Sequence, residues 1–166
     1  MNHYREKICT AEEAVKRVKS GDRIVFSHAA GEPLVLPGAL MKRVDELKGV
    51  EIVHMVPMGE ALYCKPEYAG SFRHVALFTG GPTREAIWEN RADYIPYFFS
   101  EIPFLFETVL PVDVAMVTVS PPDKKGFCSL GVSVDYTKKA VECARTVMAE
   151  VNPTMPRTHG DSFIHV

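Results

Sequence analysis

The sequence predicts an α/β domain built on an open, mostly parallel β-sheet with helices on both faces. Short apolar segments alternate with amphipathic segments along the chain. Residues 113–120 are almost continuously apolar, and Gly or Pro residues follow several of the apolar segments. A strand that is apolar throughout is typical of a sheet covered on both faces, and the alternation favours parallel strands.

The first elements are predicted by local signals. Thr10 and Glu13 are spaced as a capping box in front of an apolar helical face. Residues 23–28 follow as a strand, since they are largely apolar and bounded by turn residues. Pro37 suits the first turn of a second helix, and Gly49 ends that helix.

The remaining elements follow from the same alternation. Four further strands are predicted at residues 50–55, 72–78, 113–120 and 146–151. Thr83 begins a short helix, residues 136–144 form the last helix, and residues 127–134 are a short extended piece. The aromatic segment 94–105 contains two prolines, so we expect irregular structure there with no more than one short helix.

Length and composition exclude several classes of protein. The chain has 166 residues, enough for one domain with its own core, and a net charge of −2, which predicts no nucleic-acid partner. It contains no apolar run of about 20 residues, which predicts no membrane partner. Four widely spaced cysteines without a CxxC pair, and an N-terminus without an apolar core, predict a cytoplasmic protein with reduced thiols and no bound metal.

The loops after the strands are the candidate ligand site, because open parallel sheets bind ligands beyond the carboxyl ends of their strands. The glycines of the Thr79-Gly80-Gly81 loop precede a helix and favour an anion such as a carboxylate or phosphate, a plain tight turn being the alternative. His28 closes the first strand and is a candidate site residue. The alternative is that its ring makes only a structural hydrogen bond. Glu32 and Glu60 have the properties of a nucleophile or base, and equally those of solvated loop acids.

Five stretches of sequence carry a resemblance to a known family. They are GDRIVFSHAAGEP, MGEALYCKPEY, ADYIPYFFSEIP, PVDVAMVTVSPPDKKGFCSLGVSVDYT and AEVNPTMPRTHGDSFIHV. In this order they resemble the N-terminal domain of the family that includes 4-hydroxybutyrate CoA-transferases and acetyl-CoA hydrolases. The resemblance covers essentially the whole chain, and VDVAMVTVSPPDKKGFCSLG is specific.

The resemblance implies a two-domain enzyme whose active site lies in the cleft between the domains. Its glutamate nucleophile and a glycine-rich oxyanion segment belong to the C-terminal half, so no catalytic residue is expected here. Glu32, Glu60 and Glu101 do not lie in the matching motif. Coenzyme A is implied as a substrate, no cofactor is implied, and a homo-oligomer is expected. Because the chain stops on the apolar stretch 162–166, we expect a fragment that lacks its C-terminal domain.

The resemblance also implies that this half supplies walls of the pocket for the acyl group and the small carboxylate. The implied substrate-binding residues are His28, Gly31, Glu32, Pro57, Met58, Gly59, Thr79, Gly80 and Gly81. The implied reaction moves CoA between acetyl-CoA and a short carboxylate such as 4-hydroxybutyrate or butyrate. Acetyl-CoA hydrolysis and a non-catalytic binding or assembly module are the alternatives.

Overall fold

A computed structural model describes residues 2–166 and confirms the predicted α/β fold. Its strands, numbered in chain order, are β1 (Arg23–Phe26), β2 (Val50–His54), β3 (Phe72–Ala76), β4 (Ala92–Tyr94), β5 (Val114–Val119), β6 (Phe127–Ser129), β7 (Thr146–Val151) and β8 (Phe163–His165). Six of them form one sheet in the order β4-β3-β2-β1-β5-β7, in which every neighbouring pair is parallel. β6 and β8 pair antiparallel in a separate ribbon.

In the described part of the chain six α-helices connect or precede the strands. They are α1 (Asn2–Lys7), α2 (Ala11–Val15), α3 (Leu36–Met41), α4 (Gly81–Trp88), α5 (Ile102–Thr108) and α6 (Asp135–Cys143). The capping box of α2 is confirmed, because the Glu13 carboxylate accepts from the Thr10 N–H at 2.9 Å and the Thr10 hydroxyl accepts from the Glu13 N–H at 3.2 Å. Pro37 lies in the first turn of α3 as predicted.

The sheet separates two apolar cores. Ile24 and Phe26 of β1 point to the side covered by α2 and α3, whereas Val25 points to the side covered by α5 and α6. This alternation is the period of a strand, and it continues in the neighbouring strands. Because both sides are covered, β5 is buried at all six positions.

Several predicted boundaries and elements were wrong. α3 ends at Met41, well before Gly49, and α4 begins at Gly81 rather than at Thr83. The segment 94–105, expected to be irregular with no more than one short helix, begins with the last residue of β4, a strand that was not predicted. It also contains the start of α5, whose buried Ile102, Leu105 and Phe106 have helical spacing. Within residues 2–166 β4 pairs with β3 alone, so it is an edge strand and needs little apolar surface.

The apolar C-terminal stretch pairs and packs within the chain. Phe163–His165 forms β8, which pairs with β6. Ile164 and Val166 pack against a small cluster that includes Cys128 and Leu130. The apolar character of this stretch is therefore explained by packing within the chain.

Candidate functional site

The carboxyl ends of the parallel strands form one edge of the sheet, and the loops that leave this edge carry all the predicted site residues. β1 lies in the middle of the sheet, between β2 and β5, and the strand order reverses there. Open α/β sheets bind ligands at the carboxyl edge beside such a reversal. The reversal therefore marks the loops after β1 and β5, and the predicted site residues lie in the loops after β1, β2 and β3 along the same edge.

The loop after β1 is anchored at its start by Ser27. The Ser27 hydroxyl donates to the Gly31 carbonyl oxygen at 2.6 Å and accepts from the Thr118 N–H at 3.3 Å. Gly31 is buried against Ser133, and a Cβ atom at Gly31 would lie 2.4 Å from the Ser133 Cβ. The turn therefore requires glycine because of close packing.

His28 lies between this loop and the start of α6. Its Nε2 is 3.0 Å from Oδ2 of Asp135, and its ring packs on Tyr136 and meets Phe99 at centroid distances of 4.9 and 6.1 Å. Because an ionised carboxylate only accepts hydrogen bonds, Nε2 carries a proton. The Nδ1 atom is buried and has no hydrogen-bond partner among residues 2–166, so a bound water or ligand would satisfy it.

Glu32 joins the loop after β1 to the loop after β2. Its Oε2 accepts from the backbone N–H of Met58 at 2.6 Å and from that of Gly59 at 2.9 Å. A Cβ atom at Gly59 would lie 3.3 Å from Oε1 of Glu32, so the absence of a side chain allows this approach. The two loops are also joined by the Ala29 N–H, which donates to the Val56 carbonyl oxygen at 2.8 Å.

The loop after β3 leads directly into α4. Gly80 is the N-cap residue of that helix, and the position of its notional Cβ is 3.8 Å from Cδ of Pro57 in the neighbouring loop. Thr79 is half-buried, and the Thr83 hydroxyl below it is buried without a hydrogen-bond partner in the described chain. The second and third loops therefore lie close to each other.

A buried aromatic and histidine cluster supports the loop after β2 from below. His54 Nδ1 is 2.7 Å from the Tyr63 hydroxyl, and His74 Nδ1 donates to the Ile52 carbonyl oxygen at 3.0 Å. Removal from water lowers the pKa of His54 well below its usual value and lowers the pKa of His74 to about 4. Both rings are therefore neutral in the folded chain at neutral pH.

The cysteines lie apart and in different environments. All four are free thiols, with Cys9 exposed, Cys64 and Cys128 buried, and Cys143 half-buried. Burial raises the pKa of the Cys64 thiol to about 12, which makes it a poor nucleophile. Among residues 2–166 no cluster of three or more His, Cys, Asp or Glu side chains is arranged to hold a metal ion, and no helix is long and apolar enough to span a membrane.

Comparison with known proteins assigns the chain to a family. The sequence profile of the acetyl-CoA hydrolase/transferase N-terminal domain matches residues 1–166. The chain belongs to this family. Over 164 residues this acetyl-CoA hydrolase/transferase domain is 58% identical to 4-hydroxybutyrate coenzyme A transferase of Clostridium kluyveri, covering 98% of the chain and 38% of that relative.

Solved structures agree with the assignment to the acetyl-CoA hydrolase/transferase family. The domain superposes on RipA of Yersinia pestis with a TM-score of 0.92 and 29% identity, covering 98% of this chain and 40% of the other. It superposes on 4-hydroxybutyrate CoA-transferase of Porphyromonas gingivalis with a TM-score of 0.79 and 36% identity, covering 99% and 38%. The chain therefore spans about two fifths of the length of these relatives.

The structure brings the predicted site residues of the acetyl-CoA hydrolase/transferase domain together at one edge. It also adds residues that sequence reasoning missed: Asp135, which pairs with His28, Phe99, which lies against the same ring, and Glu150, whose carboxylate binds the loop after β1. Asp135 is 107 residues from His28 and Glu150 is 114 residues from Leu36. No local pattern in the sequence signals pairings at such separations.

Proposed function

We propose that this chain is the N-terminal domain of a CoA-transferase that moves CoA between acetyl-CoA and a short-chain carboxylate such as 4-hydroxybutyrate or butyrate. The observation that carries this proposal is the 58% identity to 4-hydroxybutyrate coenzyme A transferase over 98% of the chain. Family membership alone leaves both transferase and hydrolase chemistry open. The chemistry itself is proposed to occur on a glutamate in a C-terminal domain beyond residue 166.

The proposed reaction proceeds in two halves through a covalent intermediate. The glutamate carboxylate of the C-terminal domain attacks the thioester carbonyl of acetyl-CoA, which forms a glutamyl–acetyl anhydride and releases CoA thiolate. The thiolate then attacks the glutamyl carbonyl, which forms a glutamyl-CoA thioester and releases acetate. The second carboxylate attacks this thioester in the same way, and the released CoA thiolate attacks the acyl carbonyl of the new anhydride, which yields the new acyl-CoA and the free glutamate. The proposed reaction uses no resident cofactor. Coenzyme A enters and leaves as part of the acyl-CoA substrates.

The proposed role of the present chain is to form the wall of the pocket that binds the small carboxylate. The Thr79 hydroxyl and the glycines after it lie at the start of α4, where a hydroxyl donor and backbone N–H groups favour an anion. Met58 and the loop after β1 lie beside them. His28 offers a further ring nitrogen at the same edge.

The proposal also covers the location of the protein in the cell, its oligomeric state and the arrangement of its domains. We place the protein in the cytoplasm and expect a homo-oligomer, as the family resemblance implies. The C-terminal domain is proposed to cover the carboxyl edge of the sheet, so that the pocket lies between the two domains. Exclusion of water from that pocket would favour transfer over hydrolysis.

The proposal is tested with the full-length protein, acetyl-CoA and 4-hydroxybutyrate, by measuring 4-hydroxybutyryl-CoA with mass spectrometry. We expect this product from the full-length protein and none from residues 1–166 alone. With acetyl-CoA alone, we expect a CoA adduct on a glutamate outside residues 1–166. Release of free CoA without the acyl product would instead identify a hydrolase, and turnover by residues 1–166 would show that the nucleophile lies in this chain.

A further inference from the structure

Glu150 lies on β7, two strands away from β1, and binds the loop after β1. It lies near the end of β7, and its carboxylate accepts from three consecutive backbone N–H groups, those of Leu34 at 3.1 Å, Val35 at 2.7 Å and Leu36 at 2.6 Å. Since β5 lies between β7 and β1, this contact spans the reversal of strand order. Hydrogen bonds to an ionised acceptor are about twice as strong as neutral ones.

Packing holds only the last residue of the bound segment, because Leu36 is buried in the core at the start of α3. The side chains of Leu34 and Val35 are 71% and 62% exposed, so they bury little apolar surface. A loop without such burial stays in one conformation only if other interactions offset the entropy of ordering it. The Glu150 carboxylate supplies those interactions at the end of the loop, as Ser27 does at its start.

The same arrangement recurs one loop further along the edge. Glu32 lies between the two anchors, and its own carboxylate binds the consecutive N–H groups of Met58 and Gly59. Each carboxylate therefore holds backbone amides of the next loop: Glu150 holds the loop after β1, and Glu32 in that loop holds the loop after β2.

We propose that Glu150 is a positioning residue that acts through Glu32 on the loop after β2. By fixing the end of the loop after β1, it places the Glu32 carboxylate where it binds Met58 and Gly59. The two loops thus move as one unit whose geometry is set from β7. The consequence for substrate binding rests on the proposed function, whereas the coupling of the loops does not.

Hydrogen exchange of the full-length protein tests the coupling. Glu150→Gln keeps the size of the side chain and removes its charge, and we expect amide exchange at residues 34–36 and also at Met58 and Gly59 to become at least tenfold faster. Glu32→Gln should speed exchange at Met58 and Gly59. Glu142→Gln is the matched control, because that carboxylate pairs only with Lys138 and Lys139 on its own helix in the described chain.

Which amides exchange faster in Glu150→Gln decides whether the two loops are coupled. Faster exchange confined to residues 34–36 would make Glu150 a local anchor and overturn the proposal. If Glu150→Gln does not fold, Glu150→Asp, which withdraws the carboxylate by one methylene, is measured in the same way, and protection of Met58 and Gly59 at the wild-type level would again overturn it.

Kinetics of the same variants test the consequence for the site. We expect Glu150→Gln to raise KM for the carboxylate about tenfold while formation of the CoA adduct from acetyl-CoA stays within about threefold of wild type. The double variant Glu32→Gln/Glu150→Gln should be no worse than the poorer single variant, since both act on one unit. Multiplicative losses would show independent roles. If the wild-type protein transfers no CoA but the variants still show coupled exchange, only the proposed function is rejected.

Discussion

At the scale of single residues, His54 and His74 couple folding to pH. Both side chains are buried and neutral, and burial lowers the pKa of His74 from 6.5 to about 4. In the unfolded chain the ring binds a proton below about pH 6.5, so the unfolded state binds more protons than the folded state between pH 6.5 and 4. The stabilisation is complete above pH 6.5 and is lost as the pH falls toward 4.

We therefore predict that His74→Asn makes the stability of the chain less sensitive to acid. The amide of asparagine can still donate to the Ile52 carbonyl, but it does not titrate. Between pH 7 and 4 the wild type should lose about 3 kcal/mol more free energy of unfolding than the variant, as measured by urea denaturation. The exposed His159 provides the control: His159→Asn should follow the wild type. Equal acid sensitivity of His74→Asn and wild type would contradict the prediction.

Thr79 tests the proposed carboxylate pocket. Thr79→Val keeps the shape of the side chain and removes its donor, and a hydrogen bond to a charged group contributes about 1.5–3 kcal/mol. In the full-length protein we predict roughly a 10- to 100-fold loss in the half-reaction that consumes free carboxylate, with a smaller effect on adduct formation from acetyl-CoA. Thr108→Val, whose hydroxyl donates to the Phe104 carbonyl within α5, is the control. A change below twofold would make the loop a plain turn.

At the scale of elements, the turn after β6 approaches the segment around Met155 closely at Gly131. This residue has φ of +64°, and a Cβ atom there would lie 2.2 Å from Sδ of Met155 and 2.9 Å from the Pro156 carbonyl oxygen. Gly21 has φ of +81° with nothing within 4 Å of its notional Cβ. Substitution of these two glycines therefore separates the free-energy cost of a left-handed conformation from the cost of overpacking.

We predict that Gly131→Ala destabilises the chain more than Gly21→Ala. The control substitution should cost about 1 kcal/mol from backbone strain alone. Gly131→Ala should cost an additional 1–3 kcal/mol or so, because Met155 and the backbone of Pro156 must move. Chemical denaturation of both variants measures the difference. Equal losses would show that the segment around Met155 yields without cost.

At the scale of the whole molecule, the carboxyl edge of the sheet is lined by exposed apolar side chains. They follow the ends of β1 to β4 and include Leu34, Val35, Met58, Phe78, Tyr97, Phe98 and Phe99. Exposed apolar surface on this scale commonly marks an interaction site. This part of the chain has the exposed apolar side chains expected of a domain interface, whereas residues 163–166 are partly covered by β6.

We predict that Phe98, which is 77% exposed here, becomes buried in the full-length protein. Phe98→Ser should then lower the free energy of unfolding of the full-length protein by about 3 kcal/mol, the lower end for loss of a buried aromatic side chain. Trp88 is 76% exposed at the end of α4, near the opposite edge of the sheet, and Trp88→Ser is the control. Thermal unfolding measures both, and equal melting temperatures for the two variants would argue against burial of this edge.

Local sequence by itself determined the elements whose signals are local. Three such signals are the capping box at Thr10, the proline in α3 and the continuous apolar run of β5. Each depends on residues within one turn or one strand. The alternation of helices and strands that such signals mark predicts the fold class. That the predicted loops lie together was also predictable, since the carboxyl ends of parallel strands share one edge. Their role as a ligand site stays a prediction.

The tertiary structure decided what depends on contacts between distant residues. The pairing of His28 with Asp135 and the hold of Glu150 on residues 34–36 each join segments more than 100 residues apart, and neither has a local signature. β4 and β8 are three-residue strands that were not predicted, because each is too short to show the period of a strand and each depends on the hydrogen bonds of a neighbouring strand. Periodicity records which face of an element is buried, but it does not record which partner buries it.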